Sequence, residues 1–270
     1  MPKSFVMYRN KKVDRTLDEK FMTPFLRNAQ IAEFKELKNF IEDMHSKTKT
    51  PLNILDIGVG DGRIPILLSR ESIWKKVNLY VGFDNSKIEI KKAEKAIKKR
   101  RIEDKVKIVY FDAINLDKKT SNEIFRHRYD LIICTYFTPS NFKPDEIKIK
   151  TGKNGKIVPY PKNCLEPNKK FVKIFKSAYK LLKDNGKIIL GTTYIDTDIN
   201  RKRQEEFYKK CGMTVITSKK DSFTVTKEGF WSQRFTKKRI YDYFSWVKRN
   251  KIKFIKLDNY NFARMIVVSK

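Results

Sequence analysis

The stretch Leu55-Asp56-Ile57-Gly58-Val59-Gly60-Asp61-Gly62 decides the predicted fold of this chain. It ends a short apolar run at residues 52–57, typical of a buried strand, and leads into residues 64–68, which open a helix. Glycines let the backbone approach a ligand closely, and the N-terminus of the following helix presents free N–H groups. The stretch therefore predicts a ligand-binding turn between a strand and a helix.

On both sides of this turn, strands and helices alternate along the chain. Apolar runs at 79–83, 106–111, 129–135 and 187–194 predict four more strands, and helical spacing predicts helices at 23–44, 86–99 and 171–182. Two last strands at 252–257 and 263–268, joined by a short link, predict an antiparallel hairpin. We therefore expect an α/β fold, with a doubly wound, seven-stranded, mostly parallel sheet, an antiparallel C-terminal strand and helices on both faces.

The domain organisation follows from the segments that fit this alternation and those that do not. Residues 1–50 are predicted to form an N-terminal helical segment, and residues 51–270 a single α/β domain. Two insertions, 139–167 and 195–229, follow the fourth and fifth strands. Because long insertions at the carboxyl ends of sheet strands usually carry function, we expect both to cover the ligand site.

The spacing of acidic and glycine residues narrows the class of ligand. Asp84 ends the second strand 22 positions beyond Gly62, which suits a carboxylate that receives ribose hydroxyls. The third glycine comes one position earlier than in the dinucleotide fingerprint G-x-G-x-x-G, and no G-K-[ST] sequence is present. Asp56 and Asp61 place negative charge in the turn, which disfavours a pyrophosphate and suits a cationic ligand.

Four motifs in this order resemble the class I S-adenosylmethionine-dependent methyltransferases. That family has an acid and G-x-G-x-G after its first strand, an acid at the end of its second, an acidic or polar residue after its third, and an active-site loop after its fourth. The sequence Asp184-Asn185-Gly186 departs from the Pro-Gly-Gly turn that the family usually has before its fifth strand, and we expect Asn185-Gly186 to cap the preceding helix. The resemblance runs from about residue 52 to 194, with the closing strand pair, and implies a Rossmann-like fold.

The same resemblance implies S-adenosylmethionine as the cofactor and assigns roles by position. The three glycines would shape the loop around its methionine part, and Asp56 would orient its ammonium. Asp84 would hold the ribose and Asp112 the adenine amino group, while Cys134 and Thr135 would approach the methyl-donor end. The implied cofactor-binding residues are Asp56, Gly58, Gly60, Gly62, Asp84, Asn85, Ser86, Asp112, Ala113, Cys134 and Thr135.

The loop at 135–142 is where the family places the methyl acceptor. Tyr136 and Phe137 are the candidate positioning residues, since they could stack on a base or enclose an amine; ordinary packing at the strand end is the alternative. Cys134 lacks the preceding proline of the RNA cytosine-C5 enzymes, which favours a small buried residue over a nucleophile. The loop also lacks the Asn/Asp-Pro-Pro-aromatic run of many amino-methylating nucleic-acid enzymes.

The charge bears on the acceptor and leaves several possibilities open. The chain has 61 Lys and Arg against 31 Asp and Glu, a formal net charge of +30. This excess favours an RNA acceptor, a cap or a tRNA, while a lysine-rich composition without functional meaning is the alternative. A small-molecule or protein acceptor, an aminopropyl transferase on the same fold, and a non-catalytic cofactor-binding subunit of a larger complex also remain possible.

Composition excludes other classes. Three cysteines without C-x-x-C spacing and two histidines predict neither a disulfide framework nor a metal site. The sequence has no run of about 18 apolar residues, so no membrane span is predicted. The first residues lack the apolar region of a signal peptide. We therefore expect a cytoplasmic protein.

Overall fold

The computed structural model describes residues 11–18, 20–118, 123–144, 168–216, 222–259 and 261–270. The strands in these ranges are β1 (Leu52–Ile57), β2 (Val77–Asp84), β3 (Val106–Tyr110), β4 (Tyr129–Cys134), β5 (Leu182–Tyr194), β6 (Phe223–Val225), β7 (Trp231–Gln233), β8 (Ile252–Lys256) and β9 (Ala263–Ser269). The helices are α1 (Lys11–Asp14), α2 (Pro24–Thr48), α3 (Arg63–Leu68), α4 (Lys87–Arg100), α5 (Glu123–Arg126), α6 (Lys169–Leu181), α7 (Asp198–Lys210) and α8 (Lys237–Tyr243).

Seven strands form one sheet in the order β3-β2-β1-β4-β5-β9-β8. Strands β1 to β5 pair in parallel, while β9 runs antiparallel to both β5 and β8. The predicted fold and the closing hairpin are confirmed. The strand order reverses between β1 and β4, and ligands of open α/β sheets bind at such a point, outside the carboxyl ends of the strands.

The two faces of the sheet bury separate apolar clusters because neighbouring side chains of a strand point in opposite directions. Ile54 of β1 packs in a cluster with residues of α2, α3 and α4. Its neighbour Leu55 belongs to the opposite cluster, which contains Phe171 of α6 and Ile240 of α8. Helices therefore cover both faces, as the sequence predicts.

Helix α2 packs on the sheet and is continuous with the main core. Thr23 precedes it in an extended conformation, and Pro24 occupies the first turn, where its missing N–H costs nothing. Leu37 and Ile41 are fully buried in the same cluster as Ile54. The N-terminal helix thus forms one wall of the α/β domain.

The second excursion from the sheet ends later than residue 229. Ile195 bridges to Phe235, and Phe235 N donates to Tyr194 O at 2.8 Å. Between these points lie α7 and a two-stranded sheet of β6 and β7, which Arg234 ties to α7 through a 2.6 Å hydrogen bond to Gln204 Oε1. The excursion therefore runs from 195 to 235, because residues 231–233 still belong to the small sheet and the chain rejoins the main sheet only at Phe235. Residues 145–167 of the first predicted insertion and 217–221 of the second lie outside the described residues.

The turn at residues 183–186 is a bulge in β5, so the predicted helix cap at Asn185-Gly186 is wrong. Helix α6 ends at Leu181, and β5 begins at once with Leu182 paired to Tyr129. The next pair joins Leu131 to Lys187, so four residues of β5 have no counterpart on β4. Asn185 takes a left-handed φ of 64° inside this bulge.

Candidate functional site

The glycine turn lies between β1 and α3 and is held by the end of β2. The backbone amides of Gly58 and Val59 donate to Phe83 O at 2.9 and 3.0 Å. Gly58, Gly60 and Gly62 all have positive φ, a conformation that L side chains rarely adopt. A Cβ at Gly58 would lie 2.6 Å from Thr138 Cγ2, whereas a Cβ at Gly60 would meet no atom of the chain within 4 Å. Gly60 therefore borders open space at the carboxyl end of the sheet.

Asp84 joins the glycine turn to the start of α4. Its Oδ2 accepts from Gly60 N at 3.2 Å, and its Oδ1 accepts from Ser86 N at 2.8 Å. Ser86 in turn caps α4 by accepting from Glu89 N. Burial raises the pKa of Asp84, although these backbone hydrogen bonds oppose the shift. Since each carboxylate oxygen has two lone pairs, both can accept a further donor.

Asp56 places a buried carboxyl under the same turn. Its Oδ2 accepts from the Tyr80 hydroxyl at 2.5 Å, while its buried Oδ1 has no hydrogen-bond partner in the part of the chain that the structure describes. Burial raises the pKa of Asp56 to about 7, with smaller contributions from the charges of Asp84 and Glu33. A buried acceptor without a donor is costly, so the site favours a ligand that brings one.

The end of β3 lies beside that of β2. Phe111 N donates to Asp84 O at 3.0 Å, which brings Asp112 to the same edge. Asp112 Oδ1 accepts from Ile114 N at 3.2 Å and caps the short 3-10 helix Ala113–Asn115. Ala113 is buried, while Asn85 on the neighbouring turn is exposed.

The turn after β4 has an unusual backbone. Tyr136 and Phe137 follow each other with φ of 57° and 63°, and a non-glycine residue held in this region costs on the order of 1–3 kcal/mol. The preceding Cys134 and Thr135 are buried. Burial raises the pKa of the Cys134 thiol well above its ordinary value, so the thiol is neutral at physiological pH. Such strain persists only where the surroundings over-determine it, and it is typical of functional turns.

The sequence interpretation missed three residues that hold this turn. Glu33 of α2 accepts from Tyr136 N at 3.1 Å. The Arg63 guanidinium lies 4.2 Å from the centre of the Tyr136 ring and donates to Gln30 Oε1 at 3.3 Å. One signal was available for Glu33: its position falls on the apolar stripe of α2 that includes Leu37 and Ile41, where a carboxylate is rare without a partner.

A small cavity of about 30 Å³ is lined in part by Tyr136 and Phe137 and has room for about one water molecule. The Phe137 ring stacks on Tyr194 of β5 with ring centres 4.2 Å apart. The buried Asn141 Oδ1 has no hydrogen-bond partner among the described residues. The cavity is lined by neutral and mostly apolar side chains: Thr16, Met22, Leu26, Gln30, Tyr136, Phe137, Asn141, Tyr194, Phe207, Tyr208 and Phe230.

Three guanidinium groups lie over aromatic rings of the same region. Each ring belongs to a lining residue or to the residue just before one in the chain. The pairs are Arg15 with Phe21 at 5.3 Å, Arg203 with Phe25 at 5.2 Å, and Arg63 with Tyr136 at 4.2 Å. Of the three, only Arg63 contacts a residue that itself lines the cavity, Tyr136; Arg15 and Arg203 contact rings next in sequence to lining residues.

Two further findings concern absences in the described ranges. They contain no group of three or more His, Cys, Asp or Glu side chains placed to hold a metal ion. None of their helices combines the length and apolar character needed to cross a membrane.

The fold, with the glycine turn and the acids at the ends of β1, β2 and β3, is that of a Rossmann-like methyltransferase. Residues 48–245 match the family model described as a methyltransferase domain. The chain belongs to that family and is a class I S-adenosylmethionine-dependent methyltransferase. No curated protein sequence matches it.

Solved structures with a similar fold include several methyltransferases. Magnesium protoporphyrin IX methyltransferase from Synechocystis PCC 6803, with bound S-adenosylhomocysteine, has a TM-score of 0.54 and 10% identity, covering 96% of this chain and 93% of that one. An S-adenosylmethionine-dependent methyltransferase from Clostridium acetobutylicum ATCC 824 has a TM-score of 0.53 and 12% identity, covering 87% and 91%. The PH0226 protein from Pyrococcus horikoshii OT3 has a TM-score of 0.51 and 17% identity, covering 83% and 84%. At these identities the likeness shows the fold alone.

Proposed function

We propose that this methyltransferase binds S-adenosylmethionine at the carboxyl ends of β1, β2 and β3 and methylates RNA. The observation that carries the cofactor half is the pairing of two features: the open space above Gly60 and the partnerless Oδ1 of Asp56 beneath the turn. A ligand that packs closely against the Gly60 backbone and carries an ammonium group as a donor for Asp56 fits both features. When bound, S-adenosylmethionine supplies an electrophilic methyl group on a sulfonium.

The chain's own residues then divide the work of holding the cofactor. Asp56 binds the ammonium through its free Oδ1, and the three glycines of the turn leave room for the methionine part. Asp84 accepts ribose hydroxyls on its remaining lone pairs, with Asn85 and Ser86 beside it. Asp112 accepts from the adenine amino group and Ala113 meets the ring, while Cys134 and Thr135 lie toward the methyl group.

The acceptor half of the proposal rests on the aromatic cavity and its charged border. A nucleobase is planar and uncharged, so it suits the aromatic surface of Tyr136 and Phe137. Phosphates of the same strand suit the guanidinium groups of Arg15 and Arg203, and the formal charge of +30 favours such a strand at long range. The cavity holds only about one water, so we expect side chains at its mouth to move when a base enters.

The main catalytic task of this chain is to position the acceptor atom for methyl transfer. Methyl transfer is an in-line displacement, and holding the acceptor atom against the methyl group can supply much of the rate. Tyr136 and Phe137 orient the acceptor, and the surrounding apolar walls exclude water. Because the Cys134 thiol is neutral and buried, we expect it not to act as a nucleophile.

A transfer assay with radiolabelled cofactor tests this function. Purified protein is incubated with separate RNA, protein and metabolite fractions from the source cell, with Asp84→Ala as the inactive control. We expect label in RNA, and we expect RNA binding to weaken steeply between 50 and 200 mM salt, by about tenfold or more if several phosphates are neutralised. Label confined to the protein or metabolite fraction would reject the RNA acceptor and leave the methyltransferase activity intact.

A small-molecule acceptor is the second candidate, and one observation favours it. All the cavity's lining residues are uncharged, and its volume is small, which suits a compact neutral group. The metabolite arm of the same assay decides between the two, since a small acceptor would take label in that fraction alone.

A further inference from the structure

A carboxyl from the N-terminal helix is inserted between two strands of the sheet. Glu33 of α2 is 2% exposed and lies between the turn that follows β4 and the C-terminal part of β5. Its carboxylate accepts from Tyr136 N at 3.1 Å and from Thr192 Oγ1 at 2.6 Å, and it also accepts from Thr192 N. One donor from the turn after β4 and two from β5 therefore converge on one buried side chain.

The backbone of β5 is shaped to admit this carboxyl. A Cβ at Gly191 would overlap Glu33 Oε2 and lie 2.8 Å from Thr135 Cα, so a larger residue there would force the carboxyl or the backbone to shift. Burial raises the pKa of Glu33, while the hydrogen bonds from Thr192 and Tyr136 and the charge of Arg63 oppose the shift. Burying a carboxyl at this position is energetically costly, and the three hydrogen bonds from Tyr136 and Thr192 offset part of that cost.

The group held by Glu33 is the strained part of the site. Tyr136 and Phe137 both have left-handed φ angles, and the N–H that Glu33 accepts is that of Tyr136. Phe137 stacks on Tyr194, two residues beyond Thr192 on the same strand. By binding Tyr136 and Thr192 together, Glu33 fixes the spacing between the two walls of the aromatic cavity.

We propose that Glu33 is a positioning residue for methyl transfer, which holds the Tyr136–Phe137 turn in the conformation that presents both rings to the acceptor. The contacts that carry this role do not depend on the acceptor's identity; only the catalytic consequence rests on the proposed function. Its hydrogen bonds go to the turn after β4 and to β5, so we expect Glu33 to act mainly on acceptor placement. Because its charge also contributes to the raised pKa of Asp56, cofactor affinity is compared at pH 8, where Asp56 is largely ionised in parent and variant.

Amide hydrogen exchange measured by mass spectrometry tests the structural part. In Glu33→Gln, the peptides containing Tyr136 and Thr192 should exchange at least about tenfold faster, because a glutamine amide has only one acceptor oxygen for three donors. The peptide containing Gly58–Gly62 should not change. Glu36→Gln, the same substitution one turn further along α2 at a half-buried position, is the matched control and should exchange like the parent protein.

Two further readouts separate positioning from simple stability. Calorimetric titration with S-adenosylhomocysteine should give an affinity within threefold of the parent protein, while kcat for the labelled RNA fraction falls at least tenfold. Thr192→Val, which removes one of the three donors and keeps the carboxyl, should give a smaller increase in exchange at Tyr136. If Glu33→Gln does not fold, Thr192→Val provides the test of the Glu33 contacts by hydrogen exchange.

Three results would overturn the proposal: unchanged exchange at Tyr136, a uniform increase across the sheet, or a loss of cofactor affinity as large as the loss of kcat. If the parent protein methylates no RNA, the proposed acceptor is wrong, and the exchange and titration measurements still decide the role of Glu33.

Discussion

The proposed cofactor half and the proposed acceptor half of the site lie at the carboxyl ends of the strands and are built in different ways. The cofactor half is made by a short piece of chain: Gly60 donates to Asp84, 24 positions away, and Ser86 donates to the same carboxylate from two positions away. The acceptor half depends on distant elements, since Glu33 binds Tyr136 across 103 positions and Thr192 across 159.

The difference indicates where acceptor specificity can change without loss of cofactor binding. Glycine backbone and one acidic residue per strand end form the first half, so its geometry follows from local sequence. Side chains from α2, β4 and β5 form the second, so a substitution there can alter the acceptor site while the glycine turn stays intact. Substitutions in the two halves should therefore give separable defects.

The largest expected effect is in the cofactor half. Asp84→Ala should weaken binding of S-adenosylhomocysteine about 100-fold, because hydrogen bonds to a charged group contribute about 1.5–3 kcal/mol each and the turn also loses its tie to Gly60. Calorimetric titration measures this, with Asp104→Ala, an exposed acid between α4 and β3, as control. Equal affinity in parent and variant would remove Asp84 from the site.

Gly60→Ala should have the next largest effect. The new methyl group meets no atom of the chain, so the fold loses only about 1–2 kcal/mol from the left-handed backbone, while the ligand loses its open space and binds at least about tenfold more weakly. Gly212→Ala is the matched control, since Gly212 has a φ of 82° and its Cβ would meet only the flexible side chains of Arg15 and Lys12. If thermal unfolding shifts equally in both variants and affinity falls in neither, the space above Gly60 is not a binding site.

The pH dependence of cofactor binding should report Asp56. Its pKa is raised to about 7, so the carboxyl is largely protonated below pH 7 and ionised above it. A cationic ammonium prefers the ionised form, so affinity should rise up to about fivefold from pH 6 to 7, about twofold more from pH 7 to 8, and then level off. Titrations from pH 6 to 8 check this, and Asp56→Asn should flatten the profile. An affinity that is constant over this range in the parent protein contradicts the assignment.

The raised pKa of Asp56 also makes the free energy of unfolding depend on pH. A carboxyl whose pKa rises on folding binds its proton more tightly in the folded state, so its contribution to the free energy of unfolding falls as pH rises from about 4 to 7. Thermal unfolding without ligand should therefore show less loss of stability over this range in Asp56→Asn than in the parent protein.

The smallest effect is expected at Cys134, which joins the two halves. The thiol is fully buried among apolar residues, so Cys134→Ala should cost about 1 kcal/mol of stability and leave labelled methyl transfer within twofold of the parent. A loss of transfer that exceeds the loss of folded protein would give the thiol a chemical role.

Much of the fold, and the position of the glycine turn in the proposed cofactor half, could be predicted from sequence because their signals are local. The run from Leu55 to Gly62, and Asp84 at the end of the next strand, placed the turn, the sheet and its faces. The predicted end of the second excursion was wrong because Phe235 returns to Ile195 only through the pairing of β6 with β7. No local pattern reports such a pairing.

The acceptor half was less predictable for the same physical reason. Tyr136 and Phe137 were recognised as aromatic residues after β4, yet their left-handed backbone is stabilised by tertiary contacts that propensity does not reveal. Glu33 could be noticed as a carboxyl on an apolar helix face, but its partners Tyr136 and Thr192 are known only once α2 is packed on the sheet.

Titration of the parent protein with S-adenosylhomocysteine is the decisive measurement for the proposed cofactor site. If the glycine turn and the acids at the ends of β1, β2 and β3 form the cofactor site, calorimetry will show saturable binding of one molecule per chain, weakened about 100-fold in Asp84→Ala. No detectable binding to the folded parent protein at millimolar ligand would contradict the account.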